Sequence, residues 1–503
     1  MKKCLALLLA LVVLVMAGCA SNNDPAPVPE GARESITLAN TSTIPDYDPM
    51  NWYLTSQSTM FTNVYSTLVD VILEDDLSIT CRPNLAKSWE TEEDGLVWVF
   101  HLNENAVYSD GSKVTADHVK TCFERQMTNP YTMSYVAMID SIEVRDENTV
   151  AFRLAYNWPS VPNCWYMIAI YNVDLYDADK DTYIKNPVGS GPYTLTSLDE
   201  TAGTMTMTLK DNWWGDEKPA IKTINVRTIT DPSTLVIALQ NGEIDVASLT
   251  GSNLRLVEGD KNLVMKQSIS IVPFQLLINA NTEPLNNGKL REAISYAIDY
   301  DAIRNATCSG YASSKDSTIV FATPEMDIPA EVQQYSYDPD RARQLVEESG
   351  LPTPVDVGEI IGGTSNGSAE MVQQYLEAVG IQAKVTSYET NTMVQMLMSG
   401  QFGLGITTGA GGQSAFENLL NYYGTNQPYN FNKFSNAEVD AILEQMQYTS
   451  DAAETQALLT QALNIIVAQH TNLNLGVSAQ YTVYRTGLEV PPIYNGVDMI
   501  RVK

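Results

Sequence analysis

Ile221-Lys-Thr-Ile-Asn-Val226 leads through a helix opened by Asp231-Pro232 to Leu239-Gln-Asn-Gly242-Glu-Ile-Asp245-Val246. Further along, Ile381-Gln-Ala-Lys-Val385 leads through 392–398 to Ser399-Gly400-Gln-Phe402-Gly-Leu404. Each stretch reads as strand, helix, glycine turn, strand, which is a βαβ unit with the crossover such units favour. Asp231 can accept from free N–H groups as an N-cap, and Pro232 suits the first helical position because no partner awaits its missing N–H. Two such α/β halves in one chain predict two lobes with a cleft between them.

Composition bounds the function. The chain has 503 residues, with 60 Asp+Glu against 30 Lys+Arg and a formal net charge of −30. That length suggests about three folding units. A hydrophobic share of 44% supports real cores and excludes a disordered acidic chain. The negative charge excludes nucleic acid, whose phosphates would repel it. Charged residues reach only 18%, so the surface must be rich in Asn, Thr, Ser, Gln and Tyr.

The start of the chain carries an address. Lys2 and Lys3 precede an apolar run over 5–17, followed by Gly18-Cys19. The run falls short of the roughly 20 residues that span a bilayer, and it suits a secretory signal over 1–18. Met16-Ala17-Gly18-Cys19 resembles a bacterial lipobox. The resemblance implies that Cys19 is acylated and holds the protein on the extracytoplasmic face of the cell membrane. Residues 19–34 are then a Pro-rich polar tether.

Signals for chemistry are weak. Cys81, Cys122, Cys164 and Cys308 contain no CxxC pair; they allow two disulfides in three connectivities, or buried thiols. His101, His118 and His470 are far apart, with no H-x-x-x-H spacing, so no metal is expected. Gly363-Thr-Ser365-Asn-Gly367 matches G-x-S-x-G between a strand-like run at 355–361 and a helix at 369–379, and Asp440 and His470 follow in hydrolase order. Yet this is also an ordinary βα loop, Ser368 can cap the helix, and no HGGG-type segment precedes it. Gly288-Lys289 is followed by Leu290, so it is no Walker A loop. Neither an enzyme nor a cofactor is expected.

Local signals are clearer. Trp98-Val-Phe100-His-Leu102 alternates after the turn Glu92–Gly95, as a hairpin strand does. A helix is expected over 115–125. Ser435-Asn-Ala-Glu438 reads as a capping box before Val439, Ile442, Leu443 and Met446.

Longer motifs then accumulate. They begin with Arg82-Pro-Asn-Leu85-Ala-Lys-Ser-Trp89, the Trp98 strand, and Tyr108-Ser-Asp110-Gly-Ser-Lys-Val-Thr-Ala116-Asp117-His-Val119. Pro187-Val-Gly189-Ser-Gly191-Pro192-Tyr193, Asn212-Trp213-Trp214-Gly215 and Ala238-Leu-Gln-Asn-Gly242-Glu-Ile-Asp245 follow. Leu290-Arg291-Glu-Ala-Ile294-Ser-Tyr-Ala-Ile298-Asp299 and Tyr337-Asp338-Pro339-Asp-Arg-Ala342-Arg-Gln-Leu345 close the series. In this order the chain resembles the extracytoplasmic binding proteins of ABC importers, in the oligopeptide, dipeptide and nickel class. Most of these residues have structural readings. Asp110-Gly111 is a turn, Thr115 a helix start, Gly189 and Gly191 permit unusual backbone angles, and Ala293, Ile294, Ala297 and Ile298 form one apolar face.

The resemblance implies an α/β fold of the two-lobed periplasmic-binding-protein type (type II), with an extra small α/β domain inserted in the first lobe. Lobe I would take 35–76, 183–273 and 476–503, the extra domain 77–182, and lobe II 274–475. Hinge closure would swallow a solute between the lobes and present it to membrane permease and ATPase subunits, the binding protein itself being a monomer. The family places ligand contacts before the first helix, here Tyr47, Asn51 and Trp52. It places more after the second βαβ unit, here Gly411, Gly412, Gln413, Ser414 and Phe416. Peptide binders of this class carry an Asp there for the α-ammonium, but 405–416 holds no acid; Glu417 and Asp48 are the substitutes to test. A short peptide is the first expectation. A blocked peptide or sugar, or a sensor lipoprotein without transport, is the alternative.

Overall fold

A computed structural model describes residues 33–503 apart from 76–78, 157, 159–160, 269–272, 315–316, 318–328, 330, 363–366, 409–414, 428, 450–451 and 494–498. The signal, Cys19 and nearly all of the tether lie outside the described residues, as do Gly411, Gly412, Gln413 and Ser414.

Two sheets frame two lobes. The first runs in the order Leu263–Ser268, Gln480–Arg485, Val246–Thr250, Ser35–Asn40, Thr223–Thr228, Thr204–Leu209, Tyr193–Asp199. The second runs Ala312–Ser314, Asn472–Ser478, Pro273–Ile278, Leu404–Thr408, Val355–Gly362, Ile381–Ser387. Both βαβ units form, and each steps over a third parallel strand. Ser35–Asn40 lies between Thr223–Thr228 and Val246–Thr250, and Val355–Gly362 lies between Ile381–Ser387 and Leu404–Thr408. Period-2 burial sets the register: Ile36 and Leu38 point inward while Ser35 faces solvent.

A separate antiparallel sheet joins Ala86–Glu92, Val97–Leu102, Thr149–Leu154 and Ile139–Asp146, with helix Ala116–Gln126 against it. Phe100 on its central hairpin strand meets Trp89, Trp98, Phe152 and Trp165. Burying one such ring stabilises by about 2–3 kcal/mol. This core is continuous with that of the first lobe, whereas the second lobe has its own.

Several local readings are corrected. Gly189 and Gly191 do not take positive φ; they are glycine because a Cβ there would lie 1.9 Å from the Val64 carbonyl oxygen and 2.5 Å from that of Asn63. The helix Ala437–Tyr448 is capped by Asn436, whose side chain accepts from Glu438 N and Val439 N, while the Ser435 hydroxyl meets Thr425. Ser368 does not cap: Gly367, at φ +83°, holds the N-cap position, and the Ser368 hydroxyl is buried without a partner. Asp231, Thr115 and the Asp110-Gly111 turn form as expected. Cys122 and Cys308 are buried thiols, and burial pushes Cys122 up to about 12, which makes it inert.

Candidate functional site

In open α/β sheets, ligands bind beyond the carboxyl ends of the parallel strands. In lobe I the central strand Ser35–Asn40 runs into 41–54, and in lobe II Leu404–Thr408 runs toward helix Ala415–Tyr423. These are the chain segments singled out from sequence.

The lobe I segment is held by one side chain. Gln57, fully buried, accepts from Tyr53 N and Leu54 N at 3.1 and 3.0 Å and donates to Asp46 O and Asn51 O at 2.9 and 2.8 Å. Those four bonds use its amide group in full. The inserted domain adds a second clamp: Asn129 Nδ2 donates to Met50 O at 2.6 Å.

Asp48 is the buried charge of this segment. Its carboxylate takes Met50 N, the Tyr176 hydroxyl at 3.0 Å and the Lys180 ammonium at 2.6 Å. Burial pushes the Tyr176 phenol up to about 12, so it remains a neutral donor, and the Asp48 contact holds Lys180 above its ordinary range. Asp48 is therefore already paired within the fold. The Glu417 side chain lies outside the description.

The other named residues divide. Trp52 is fully buried, donates from Nε1 to Ser58 Oγ at 3.1 Å and packs edge-to-face on Phe61. Asn51 donates to Asp46 Oδ2 and accepts weakly from Asn129, so its amide braces the loop. Tyr47 is half-buried against the lobe I core, and burial, then Glu200, raises its phenol. Phe416 packs against both lobe cores and meets Trp158 at 5.2 Å with the rings at 72°.

Exposed apolar side chains lie beside this loop, and sequence reasoning did not single them out. Leu54, Tyr131 and Met133 are 40%, 55% and 50% exposed, and Tyr131 stacks on Tyr53 at 4.5 Å. No motif marks these exposed apolar groups beside the ordered loop, since Tyr131 and Met133 come from the inserted domain.

The hydrolase constellation does not assemble from its described members. Asp440 accepts from Thr425, and His470 Nδ1 lies 3.0 Å from the Ser295 hydroxyl. A solvent-open hollow of about 340 Å³ between Arg82, Lys87 and Trp214 is also lined by engaged groups. Arg82 pairs with Asp70 there, and the indoles of Trp213 and Trp214 donate to Glu217 O and Ser190 O.

Two α/β lobes, an inserted domain braced to the cleft loop of one, and an aromatic contact across the seam define a two-lobed solute-binding protein. Residues 80–431 match the family described as "Bacterial extracellular solute-binding proteins, family 5 Middle", and the chain belongs to that family. Heme-binding protein A of Haemophilus influenzae is 25% identical over 82% of this chain and 81% of its own. The dipeptide-binding protein of Escherichia coli is 26% identical over 80% and 81%. The ABC transporter substrate binding protein CtaP of Listeria monocytogenes superposes with a TM-score of 0.81 at 22% identity, covering 94% of this chain and 99% of its own. Solute capture is thus the activity, and catalysis is not what this family is defined by.

Proposed function

We propose that the chain captures a short peptide between its lobes by hinge closure and delivers it to the permease and ATPase subunits of an ABC importer. The observation that carries it is the seam at Phe416 of lobe II, which packs against both cores and meets Trp158, together with a loop on lobe I that is braced before any solute arrives. Bracing before binding reduces the ordering cost, and a solute favours closure by its greater affinity for the closed form. The dipeptide-binding relative supports a peptide; the heme-binding relative and the paired state of Asp48 favour a second reading, a solute without a free ammonium. Tyr47, Phe416 and the 411–414 loop are proposed as contacts, with Cys19 as the lipid anchor of a monomer on the extracytoplasmic membrane face. The inserted domain is proposed to span 77–182.

Calorimetry with tri-alanine and its N-acetyl form tests the ligand. Tight binding of tri-alanine, abolished by acetylation, would establish a peptide with a free ammonium; binding of the acetylated form alone would establish the second reading. Small-angle scattering should show compaction with the ligand. Cys19→Ala should release the protein from the membrane fraction or block its processing.

A further inference from the structure

Four indole N–H groups in this fold have hydrogen-bond partners. Those of Trp52, Trp165, Trp213 and Trp214 donate to Ser58 Oγ, Tyr135 O, Glu217 O and Ser190 O at 2.8–3.2 Å. Trp158 breaks the pattern where the lobes meet. It is 5% exposed, its Nε1–H has no hydrogen-bond partner among the described residues, and it packs between Tyr156 and lobe II's Phe416. Trp98 shares the unmet donor, but it lies within the four-stranded sheet against Phe100. A buried donor without an acceptor is costly, and folds keep very few. The Phe416 ring is a weak acceptor at best.

We propose that Trp158 is a ligand-recognition residue whose Nε1–H donates to an oxygen acceptor of the captured solute, a carbonyl or carboxylate, at the seam between the lobes. The inference rests on the reading of the cleft as the solute site. It adds a chemical demand to that reading: an acceptor oxygen at the edge of the inserted domain. It also gives closure a condition. With the lobes apart, water serves the indole; when Phe416 arrives, water is displaced and only a solute can replace it. Closure around an empty cleft is then disfavoured by about tenfold, the scale of one unmet neutral donor.

The test uses ¹⁵N-indole spectra of the whole mature protein, with the Trp158 cross-peak identified by its loss in Trp158→Phe. In ligand-free protein this N–H should exchange rapidly with water. Slow exchange would show an internal partner and overturn the inference. Tri-alanine, N-acetyl-tri-alanine and tri-alanine amide are then titrated. With a probe that binds, the cross-peak should move downfield and become protected, and Trp158→Phe should weaken binding about tenfold at an unchanged unliganded thermal midpoint. A probe that binds without moving the peak or sensing the variant overturns the role of Trp158 while leaving solute capture intact. If none binds, the peptide reading fails, and the ligand-free exchange rate still decides the inference. Should Phe not be tolerated, Trp158→Tyr serves for both identification and affinity.

Discussion

The two lobes carry the same crossover, two parallel strands joined across a third, yet they begin the helix after that third strand differently. In lobe I, Thr55–Val64 opens on Gln57, whose four bonds tie the preceding loop down, and Asp48 anchors that loop to Tyr176 and Lys180 of the inserted domain. In lobe II, Ser368–Glu377 opens on Gly367 without a side-chain cap and leaves the Ser368 hydroxyl unmet. Among the described residues, the side-chain bracing that holds a cleft loop lies on the lobe I side. An insertion that contributes no strand to the lobe I sheet holds the lobe I loop in place.

The sharpest way to break this contrast uses two glycines. Gly189→Ala should cost roughly 4 kcal/mol or prevent folding, because the new Cβ meets the backbone oxygen of Val64. Gly367→Ala should cost only about 1 kcal/mol, since its Cβ meets nothing within 4 Å and only the φ of +83° opposes it. Urea denaturation that reverses this order would contradict both assignments. Next, Gln57→Ala should destabilise by about 3 kcal/mol, as buried backbone groups lose their partners, and should weaken the affinity of any probe that binds. An unchanged affinity would mean the loop does not need its brace.

A third experiment probes lobe II through pH. Burial holds His470 at about 4, below its ordinary 6.5, with Arg291 and Lys289 adding to the effect against Glu292. Between those values the unfolded chain binds more protons than the folded one, so stability rises with pH and is lost as pH falls from 6.5 toward 4. His470→Asn suits the φ of +50° and removes the titration. From pH 7.5 to 4.5, the stability of the wild type should fall relative to the variant by roughly 2 kcal/mol, allowing for partial exposure of the ring. Equal slopes would show that His470 is hydrated. The smallest change is Ser368→Ala, which should be neutral or stabilise by up to about 1 kcal/mol, since it deletes a buried hydroxyl that bonds to nothing. A loss beyond 1 kcal/mol would reveal a partner for that hydroxyl and narrow the gap between the lobes.

Much of the frame was legible because it is local. The N-caps Asp231 and Thr115, the Trp98 strand and the Ala293–Ile298 face depend on neighbours within a few residues, and the ordered motifs identified the family. The capping box was misplaced by one residue because Ser435 and Asn436 both carry capping side chains, and only the chain's path selects between them. Gly189 was recognised as necessary but for the wrong cause, since a close approach by Val64 leaves no mark near position 189.

The sequence by itself determined the class of fold, the family and the absence of an acid from 405–416, all carried by pattern and order along the chain. Tertiary structure decided which groups in the two segments proposed for the cleft are already engaged within the fold. Trp52 is taken by the core, Asp48 is neutralised by Tyr176 and Lys180, more than a hundred residues away, and Trp158, outside those segments, has a donor with no acceptor among the described residues. Partnership is a property of space, not of spacing: a hydrogen bond or ion pair exists only where folding brings distant atoms within about 3 Å, and no periodicity records that distance.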